Sequence, residues 1–367
     1  MPSPRILFLA PSAHDYLTDG MFHGLTQLLG HDHVIDCPRQ DRYHERSDAA
    51  AKLSKYPMLH FIDNSDRTEP HDLERLDLRS FDMVIIGRLD AALLPALRVV
   101  LSKVEPERLV YLDGMDDPYL RGWLWRKVGL YFKRELLVPT LAAAWYNATQ
   151  FGYSMRQNVR WIRDWFDSPA RYRGMRHAIC APLPLKRRIL PMPFGVIDVG
   201  YSAPPAEKEH DIAFIGTLSS PRRREVLATL EEWNKKRNLR LLVKITRRIS
   251  WHEYLDTLSR TRVCLNVRGA GIDTYRYWEI PYTGSLLLSE QPLIEIPNNF
   301  EDGKHAAFFH LPQLKTTLDR LFDQPNEIPR MAAAGTEHLL RHHTTVSRAR
   351  NLLEKWHENR PEQRNSG

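Results

Sequence analysis

The stretch "GAGIDTYRYWEIPYTGSLLLSE", residues 269–290, places an arginine and a glutamate between two apolar runs. The run "VCLNV" at 263–267 precedes it, and "GSLLLSE" closes it. Short apolar runs on either side of a helical pattern indicate two buried parallel strands joined by a short helix. Arg276 and Glu279, three residues apart, share one face of that helix. Because ligands of parallel sheets bind beyond the carboxyl ends of the strands, this face is expected to meet a ligand.

Two interpretations of this pair stay open. The first is an ion pair on the protein surface. The second is ligand binding, because a carboxylate can accept both hydroxyl groups of a ribose and a guanidinium fork suits a pyrophosphate. The motif offers further predicted contacts for such a ligand: Arg268, Asp273, Gly284 and Ser285. Of these, Gly284 would let the backbone approach closely, since glycine has no side chain.

Strand, loop and helix patterns alternate along both halves of the chain. The first half has strand-like runs at 5–10, 33–37, 81–88 and 108–114, with a further candidate at 142–149. The second half restarts with strands at 211–218 and 239–245, each followed by a helical pattern. Ser220 and Ser250 are the predicted N-caps of those helices. This alternation predicts an α/β protein with two Rossmann-like, doubly wound sheets.

The length and a proline-rich stretch divide the chain. A chain of 367 residues is too long for one ordinary core, and residues 181–211 carry a cluster of prolines. We therefore predict a first domain at 1–195, a proline-rich linker at 196–210 and a second domain at 211–345. A C-terminal helix and tail follow at 346–367.

The composition indicates a globular protein, with 43% hydrophobic and 26% charged residues. No apolar run approaches the roughly 18 residues that a membrane-spanning helix needs. Three scattered cysteines indicate neither a disulfide framework nor a zinc site, and they favour a reducing, cytoplasmic location.

The net charge of +7 comes from one segment that we call the basic–aromatic segment, residues 121–177. It carries 11 Lys/Arg against 3 Asp/Glu, interleaved with Trp, Tyr and Phe. Three interpretations compete: peripheral contact with a membrane, a nucleic-acid track, or a helix that packs its aromatic rings inward.

Three further clusters follow predicted strands. The loop after the first strand holds His14, Asp15 and Asp19, which are candidates for a general base. Asp113, Asp116 and Asp117 follow the strand at 108–114 and could form a metal site, a general base or an ordinary turn. Gly216 and Thr217 precede Arg222, Arg223 and Arg224, at the start of a helix. Three arginines there oppose the helix dipole unless an anion such as a diphosphate lies beside them, although a solvated helix start is the plainer interpretation.

A family resemblance adds to these patterns. "RYWEIPYTGSLLLSE", "NNFEDGKHAAFF", "IPRMAAAGTEHLLRHHTTVSRARNLLE" and "HDIAFIGTLSSPRRREVL" resemble the C-terminal half of GT-B glycosyltransferases of the group 1 superfamily. The resemblance covers 211–354 and is closest to the CgeB-like, spore-maturation branch. In the first half it rests on "DGMDDPY" and "YFKREL". It implies two Rossmann-like domains that face a central cleft, the first holding the acceptor and the second the nucleotide sugar.

The resemblance also implies residue roles. Glu279 matches a glutamate that contacts the ribose of the donor. Retaining enzymes of this kind have a second glutamate eight residues earlier, where this chain has Gly271, so retention and inversion both stay open. Asp273 is a substitute with different spacing.

The expected function is transfer of a sugar from a UDP- or other NDP-sugar to a hydroxyl acceptor, without metal or cofactor. The predicted catalytic residues are His14, Asp19 and Asp116. The predicted donor-binding residues are Gly216, Thr217, Arg222, Arg268, Asp273, Arg276, Glu279, Gly284 and Ser285. The acceptor is expected to be anionic or lipid-linked, with the protein cytoplasmic or peripheral to the inner membrane. Two alternatives stay open: a sugar-nucleotide epimerase of GT-B fold, and a non-catalytic basic protein that acts as a scaffold or binds nucleic acid.

Overall fold

The structure is a computed structural model that describes residues 3–44, 73–117, 119–121, 123–139, 175–177, 188–198, 207–218, 220–246, 249–269 and 271–359. Two parallel sheets dominate it, one in each half of the chain. Among the helices of these ranges, none combines the length and the apolar character needed to cross a membrane.

The first sheet has six parallel strands in the order β2-β1-β3-β4-β6-β8. Its strands are β1 Ile6–Leu9, β2 Val34–Asp36, β3 Met83–Ile86, β4 Leu109–Asp113, β6 Leu130–Lys133 and β8 Ile189–Pro191. A separate antiparallel ribbon joins β5 Tyr119–Arg121 to β7 Met175–His177. The α-helices described in this half are α1 Tyr16–Leu29, α2 Asp41–His44 and α3 Leu94–Lys103.

The second sheet has five parallel strands in the order β10-β9-β11-β12-β13. These are β9 His210–Gly216, β10 Leu241–Ile245, β11 Thr261–Asn266, β12 Leu286–Glu290 and β13 Ala307–Phe309. The α-helices are α4 Pro221–Arg237, α5 Trp251–Ser259, α6 Tyr275–Tyr282, α7 Leu314–Asp323, α8 Glu327–His342 and α9 Thr345–Glu358.

Strands β1 and β3 of the first sheet are apolar along their whole length, as expected where helices cover both faces of a parallel sheet. All four residues of β1 and of β3 are buried. The two predicted caps are confirmed, since the Ser220 side chain accepts from Arg223 N and the Ser250 side chain accepts from Glu253 N. The strands predicted around 5–10, 33–37, 81–88 and 108–114 are also present, as β1 to β4.

One part of the basic–aromatic segment folds differently from any of the three interpretations. Residues "LYFK" form β6, a buried strand that pairs with β4 and β8. A short apolar run does not by itself distinguish a buried strand from a helix, and in this protein the run pairs with two strands of the first sheet. The strand candidate at 142–149 lies outside the described residues.

The last helix belongs spatially to the first half of the molecule. Helix α9 packs along α1, where His23 Nδ1 lies 2.9 Å from Thr345 Oγ1. Gly24 permits this approach, because a Cβ there would collide with the backbone oxygen of Thr345. The segment predicted as a separate C-terminal helix therefore completes the first layer of the fold and ties the two halves together.

Candidate functional site

A cleft of about 960 Å³ lies between the two sheets, at the carboxyl ends of their strands. The loops after β1, β4 and β6 form one wall, and the loops after β9, β10 and β11 form the other, together with α6. Lining side chains from the first half include His14, Asp15, Tyr16, Asp116 and Arg134. Lining residues from the second half include Gly216, Thr217, Arg223, Asp273, Arg276 and Glu279.

Glu279 lies on the cleft-facing side of α6, next to Trp251 and Tyr254 of α5. Desolvation raises the pKa of its carboxyl group to about 7, although hydrogen bonding from Tyr254 and the charge of Arg276 act in the opposite direction. A carboxyl group whose pKa is raised by burial in a cleft is more typical of a functional site than of a surface ion pair.

Arg276 is anchored to the strand end rather than to Glu279. Its Nη1 donates to Ile215 O at 2.7 Å, and its guanidinium lies 5.0 Å from the ring centre of Phe214. Gly216 leaves room for this arrangement, because a Cβ at that position would force the Arg276 guanidinium to shift. The Nε of Arg276 is buried and has no hydrogen-bond partner among the described residues. The hydrogen-bonding capacity of this cationic N–H is therefore unused among the described residues.

The three arginines at the start of α4 separate in space. Arg222 Nε donates to Glu290 Oε1 at 2.8 Å, and Arg224 Nη1 donates to Leu218 O at 3.2 Å. Arg223 instead turns into the cleft wall, where its Nη1 donates to Thr217 O at 3.0 Å. Of these three arginines only Arg223 lines the cleft, because the carboxylate of Glu290 holds Arg222 away.

Of four other predicted donor contacts, only Asp273 lines the cleft, whereas Arg268, Gly284 and Ser285 lie away from it. Gly284 and Ser285 lie past the end of α6, at the amino-terminal edge of the sheet, because the helix runs back across it. There the Ser285 hydroxyl donates to the carbonyls of Leu258 and Thr261. Arg268 is turned toward Glu290, which accepts from its backbone N at 3.2 Å. This geometry removes Gly284, Ser285 and Arg268 from the candidate donor site.

Asp273 does line the cleft, but both of its oxygens already accept hydrogen bonds. Oδ2 accepts from Phe194 N at 2.7 Å and Oδ1 accepts from Trp278 Nε1 at 2.9 Å. Burial raises the pKa of its carboxyl group. Its hydrogen bonds therefore indicate a structural role, in which Asp273 connects the two halves of the molecule, rather than a contact to the ligand.

His14 and Asp19 form a dyad on the opposite wall. The imidazole Nδ1 of His14 bonds to Asp19 Oδ2, and the His14 side chain is 30% exposed whereas that of Asp19 is 1% exposed. Asp19 is held from behind by Arg42, by Tyr43 OH and by the backbone N of Asp15. Of the three base candidates predicted in this loop, His14 faces the cleft and Asp19 orients it from the interior. Asp15 is the N-cap of α1, where its side chain accepts from Thr18 N.

The acidic cluster after β4 is paired with cations that sequence reasoning did not assign to it. Asp113 is buried against Lys133 Nζ at 3.1 Å, and Arg121 Nη2 donates to Asp117 at 2.7 Å. Asp116, with a side chain 55% exposed, bonds to Arg134 at the edge of the cleft. Within the described ranges no group of three or more His, Cys, Asp or Glu residues is arranged to hold a metal ion.

These pairs also concern the basic–aromatic segment. Three of its described cations, Arg121, Lys133 and Arg134, contact carboxylates, whereas Arg126 and Lys127 are exposed. Arg160 and Arg163, which the interpretation of an acceptor or membrane surface needs, lie outside the described residues.

Three residues of the site were missed from the sequence. Trp251 and Tyr254 flank Glu279 from α5, and Glu135 reaches from the end of β6 to the backbone of the loop before α6. For Trp251 and Tyr254, the sequence feature that could have predicted a place in the site is their position shortly after β10, beyond the carboxyl end of that strand. Nothing local distinguishes Glu135, because its partner is 137 residues away.

Comparison with known proteins agrees with this geometry. Residues 204–354 match the family model described as glycosyl transferase-like. No curated protein matches the chain in sequence. The structure is similar to that of Anabaena HepE in complex with UDP-glucose, with 10% identity and a TM-score of 0.53 over 97% of this chain and 100% of that one. It is also similar to a glycosyltransferase from Rickettsia africae, with 10% identity and a TM-score of 0.52 over 97% of this chain and 98% of that one.

These findings confirm the predicted α/β architecture and agree with the expected transfer of a sugar from a nucleotide-sugar donor. The chain has the GT-B fold, and its segment 204–354 is similar to the glycosyl transferase-like family.

Proposed function

We propose that this protein is a glycosyltransferase that binds a nucleotide sugar on its second half and transfers the sugar to a hydroxyl acceptor held by its first half. One observation carries the proposal: a single cleft brings the Arg276–Glu279 face of α6 opposite the His14–Asp19 dyad. The first supplies groups for a nucleoside diphosphate, and the second supplies a base for a hydroxyl group.

Glu279 would accept hydrogen bonds from the two ribose hydroxyls. Trp251 and Tyr254, which border it, offer aromatic surface for the rest of the nucleoside. The match of the glycosyl transferase-like family to this half and the UDP-glucose bound to the similar HepE protein support a uridine or related nucleotide.

Arg276 would bind the diphosphate together with the backbone of Gly216 and Thr217, near the start of α4. The amino terminus of a helix favours an anion, and the buried Nε of Arg276 is available to donate. Fixed donors of this kind stabilise the charge that develops on a departing diphosphate. Arg223 would act indirectly, by holding the carbonyl of Thr217 in place.

His14 would take the proton of the acceptor hydroxyl as that oxygen attacks the anomeric carbon of the sugar. Asp19 accepts a hydrogen bond from Nδ1 and so fixes the orientation of the imidazole ring. Asp116, exposed at the edge of the cleft beside Arg134, would contact the acceptor or the transferred sugar rather than act as the base.

Finer points of the proposal rest on the sequence motifs. The quoted motifs of the second half favour the CgeB-like branch of the group 1 superfamily. We further propose a reaction without metal or cofactor and a cytoplasmic location. An anionic or lipid-linked acceptor, with contact to the inner membrane through the segment at 156–177, completes the proposal.

A sugar-nucleotide epimerase is the second candidate. Carboxylates of both halves, Asp116 and Glu279 among them, line the same cleft, as an enzyme that works on one sugar from two sides would require. A reaction with the nucleotide sugar alone separates the candidates, because an epimerase changes the sugar without releasing nucleoside diphosphate.

The direct test is a panel of nucleotide sugars with EDTA present. We expect one of them to raise the melting temperature, since a ligand at 100 times its Kd stabilises a protein by about 2.7 kcal/mol. With an acceptor, nucleoside diphosphate should be released at the same rate with and without EDTA. A rate that only a divalent metal restores would contradict the metal-independent reaction and direct attention to Asp116 and Asp117.

The affinity for the nucleoside should depend on pH through Glu279. Its carboxyl group has a pKa of about 7 in the free protein, and ribose hydroxyls donate to the ionised form, so binding favours loss of the proton. Affinity should therefore rise by about tenfold between pH 6 and 8 and then level off. Calorimetry with a nucleoside, which has no phosphate to titrate, measures this, and the Glu279→Gln variant should show no such rise.

A further inference from the structure

The loop between β11 and α6 is held by groups from the other half of the molecule. Glu135 Oε1 accepts from Ile272 N at 2.7 Å and from Asp273 N at 3.2 Å. In the reverse direction, Asp273 Oδ2 accepts from Phe194 N at 2.7 Å. Three hydrogen bonds across the interface thus converge on two consecutive residues of one loop.

Gly271, which precedes Ile272 and Asp273, lies against the same Glu135 carboxylate. A Cβ there would collide with Glu135 Oε1 and would lie 3.0 Å from Asp116 Oδ1 and 3.1 Å from Arg134 Nη2. The place of a side chain at position 271 is therefore taken by charged groups from the first half. The absence of a side chain is what lets the Glu135 carboxylate reach the backbone.

Glu135 is well fixed at its own end. It follows β6 by two residues, its side chain is only 3% exposed, and Arg134 Nη2 lies 3.3 Å from its Oε1. The loop that it holds leads directly into α6, whose first turns carry Arg276 and Glu279. The position of those two side chains relative to the first half therefore depends on a residue of the first half.

We propose that Glu135 is a positioning residue of the donor site, which acts across the interface by fixing the 271–274 loop and, through it, α6. The effect on nucleotide binding rests on the function proposed above, whereas the effect on the loop does not. Donor binding would then require the two halves to be docked, although the groups that contact the nucleotide all come from the second half.

The test combines two measurements on the full chain. Glu135→Ala, Gly271→Ala and the double variant are compared with Asp211→Asn. Asp211 is a buried carboxylate whose ion pairs among the described residues, with Arg240 and Arg262, both lie within the second half. Hydrogen exchange without nucleotide reports the loop and helix directly. Calorimetry with UDP, GDP and ADP reports the donor site.

We expect Glu135→Ala to speed exchange throughout 271–282 and to weaken nucleoside diphosphate binding about tenfold, while Asp211→Asn changes neither. Gly271→Ala should have a similar effect alone and a smaller further effect in the Glu135→Ala background, because the collision with Glu135 Oε1 is then gone and only the close approaches to Asp116 and Arg134 remain. Faster exchange limited to residues 272 and 273, or losses that multiply in the double variant, would overturn the proposal. If the wild-type protein binds none of the three nucleotides, the proposed function fails, and the exchange pattern alone still decides the role of Glu135.

Discussion

Replacement of His14 by alanine should lower the rate of sugar transfer by about 10²- to 10⁴-fold, the range expected when a general base is lost. Donor affinity should stay unchanged, because His14 lies on the wall opposite Arg276 and Glu279. The measurement is release of nucleoside diphosphate at saturating donor and acceptor, beside calorimetry with the nucleoside diphosphate alone.

Two companion variants sharpen this result. Asp19→Asn keeps the size of the buried side chain but removes the charge that orients the imidazole, so the rate should fall while donor affinity holds. His31→Ala, at a histidine 49% exposed outside the cleft, should leave the rate unchanged. A His14→Ala variant that transfers sugar at the wild-type rate would remove the dyad from the mechanism and leave Asp116 as the remaining predicted candidate for the base.

Substitution of Glu279 by glutamine should weaken nucleoside diphosphate binding tenfold to a hundredfold. Hydrogen bonds to a charged group contribute roughly 1.5–3 kcal/mol, and the amide keeps the shape but not the charge. Arg276→Lys should also weaken binding, since an ammonium group cannot reproduce the fork that reaches both Ile215 O and an anion. Calorimetric titration measures both losses.

The stability of these variants separates a binding role from a structural one. The raised pKa of Glu279 means that its charged form is disfavoured in the folded protein, so loss of the charge should leave the melting temperature unchanged or raise it. Glu337→Gln, which breaks a surface pair with Arg341, is the matched control and should change neither quantity. Unchanged affinity with a large fall in the melting temperature of Glu279→Gln would contradict the donor-site assignment.

The sequence predicted those parts of the fold and site that follow from local pattern. Strand ends and helix caps were recognisable, and with them the side chains placed at strand ends, such as His14, Gly216 and Glu279. The period of two or of 3.6 residues determines which elements form, and a parallel sheet brings the ends of its strands to one edge.

What the sequence did not predict depends on partners far along the chain. Arg222 and Arg223 are neighbours with the same chemistry, yet Glu290 holds one and the Thr217 carbonyl holds the other. The strand "LYFK" ends in Lys133, and a lysine is usually exposed. Here it is buried, because it pairs with Asp113 in the interior. Such choices are made by tertiary contacts, which no local window contains.

The packing of α9 on α1 has a consequence for how the protein is made. The His23–Thr345 contact joins residues 322 positions apart, so a nascent chain must extend beyond residue 345 before α1 meets α9. Until then, the apolar face of α1 that α9 covers stays open to solvent on the ribosome. The amino-terminal half therefore cannot finish folding before residues 345–358 have been synthesised, and chaperones have that interval in which to bind it.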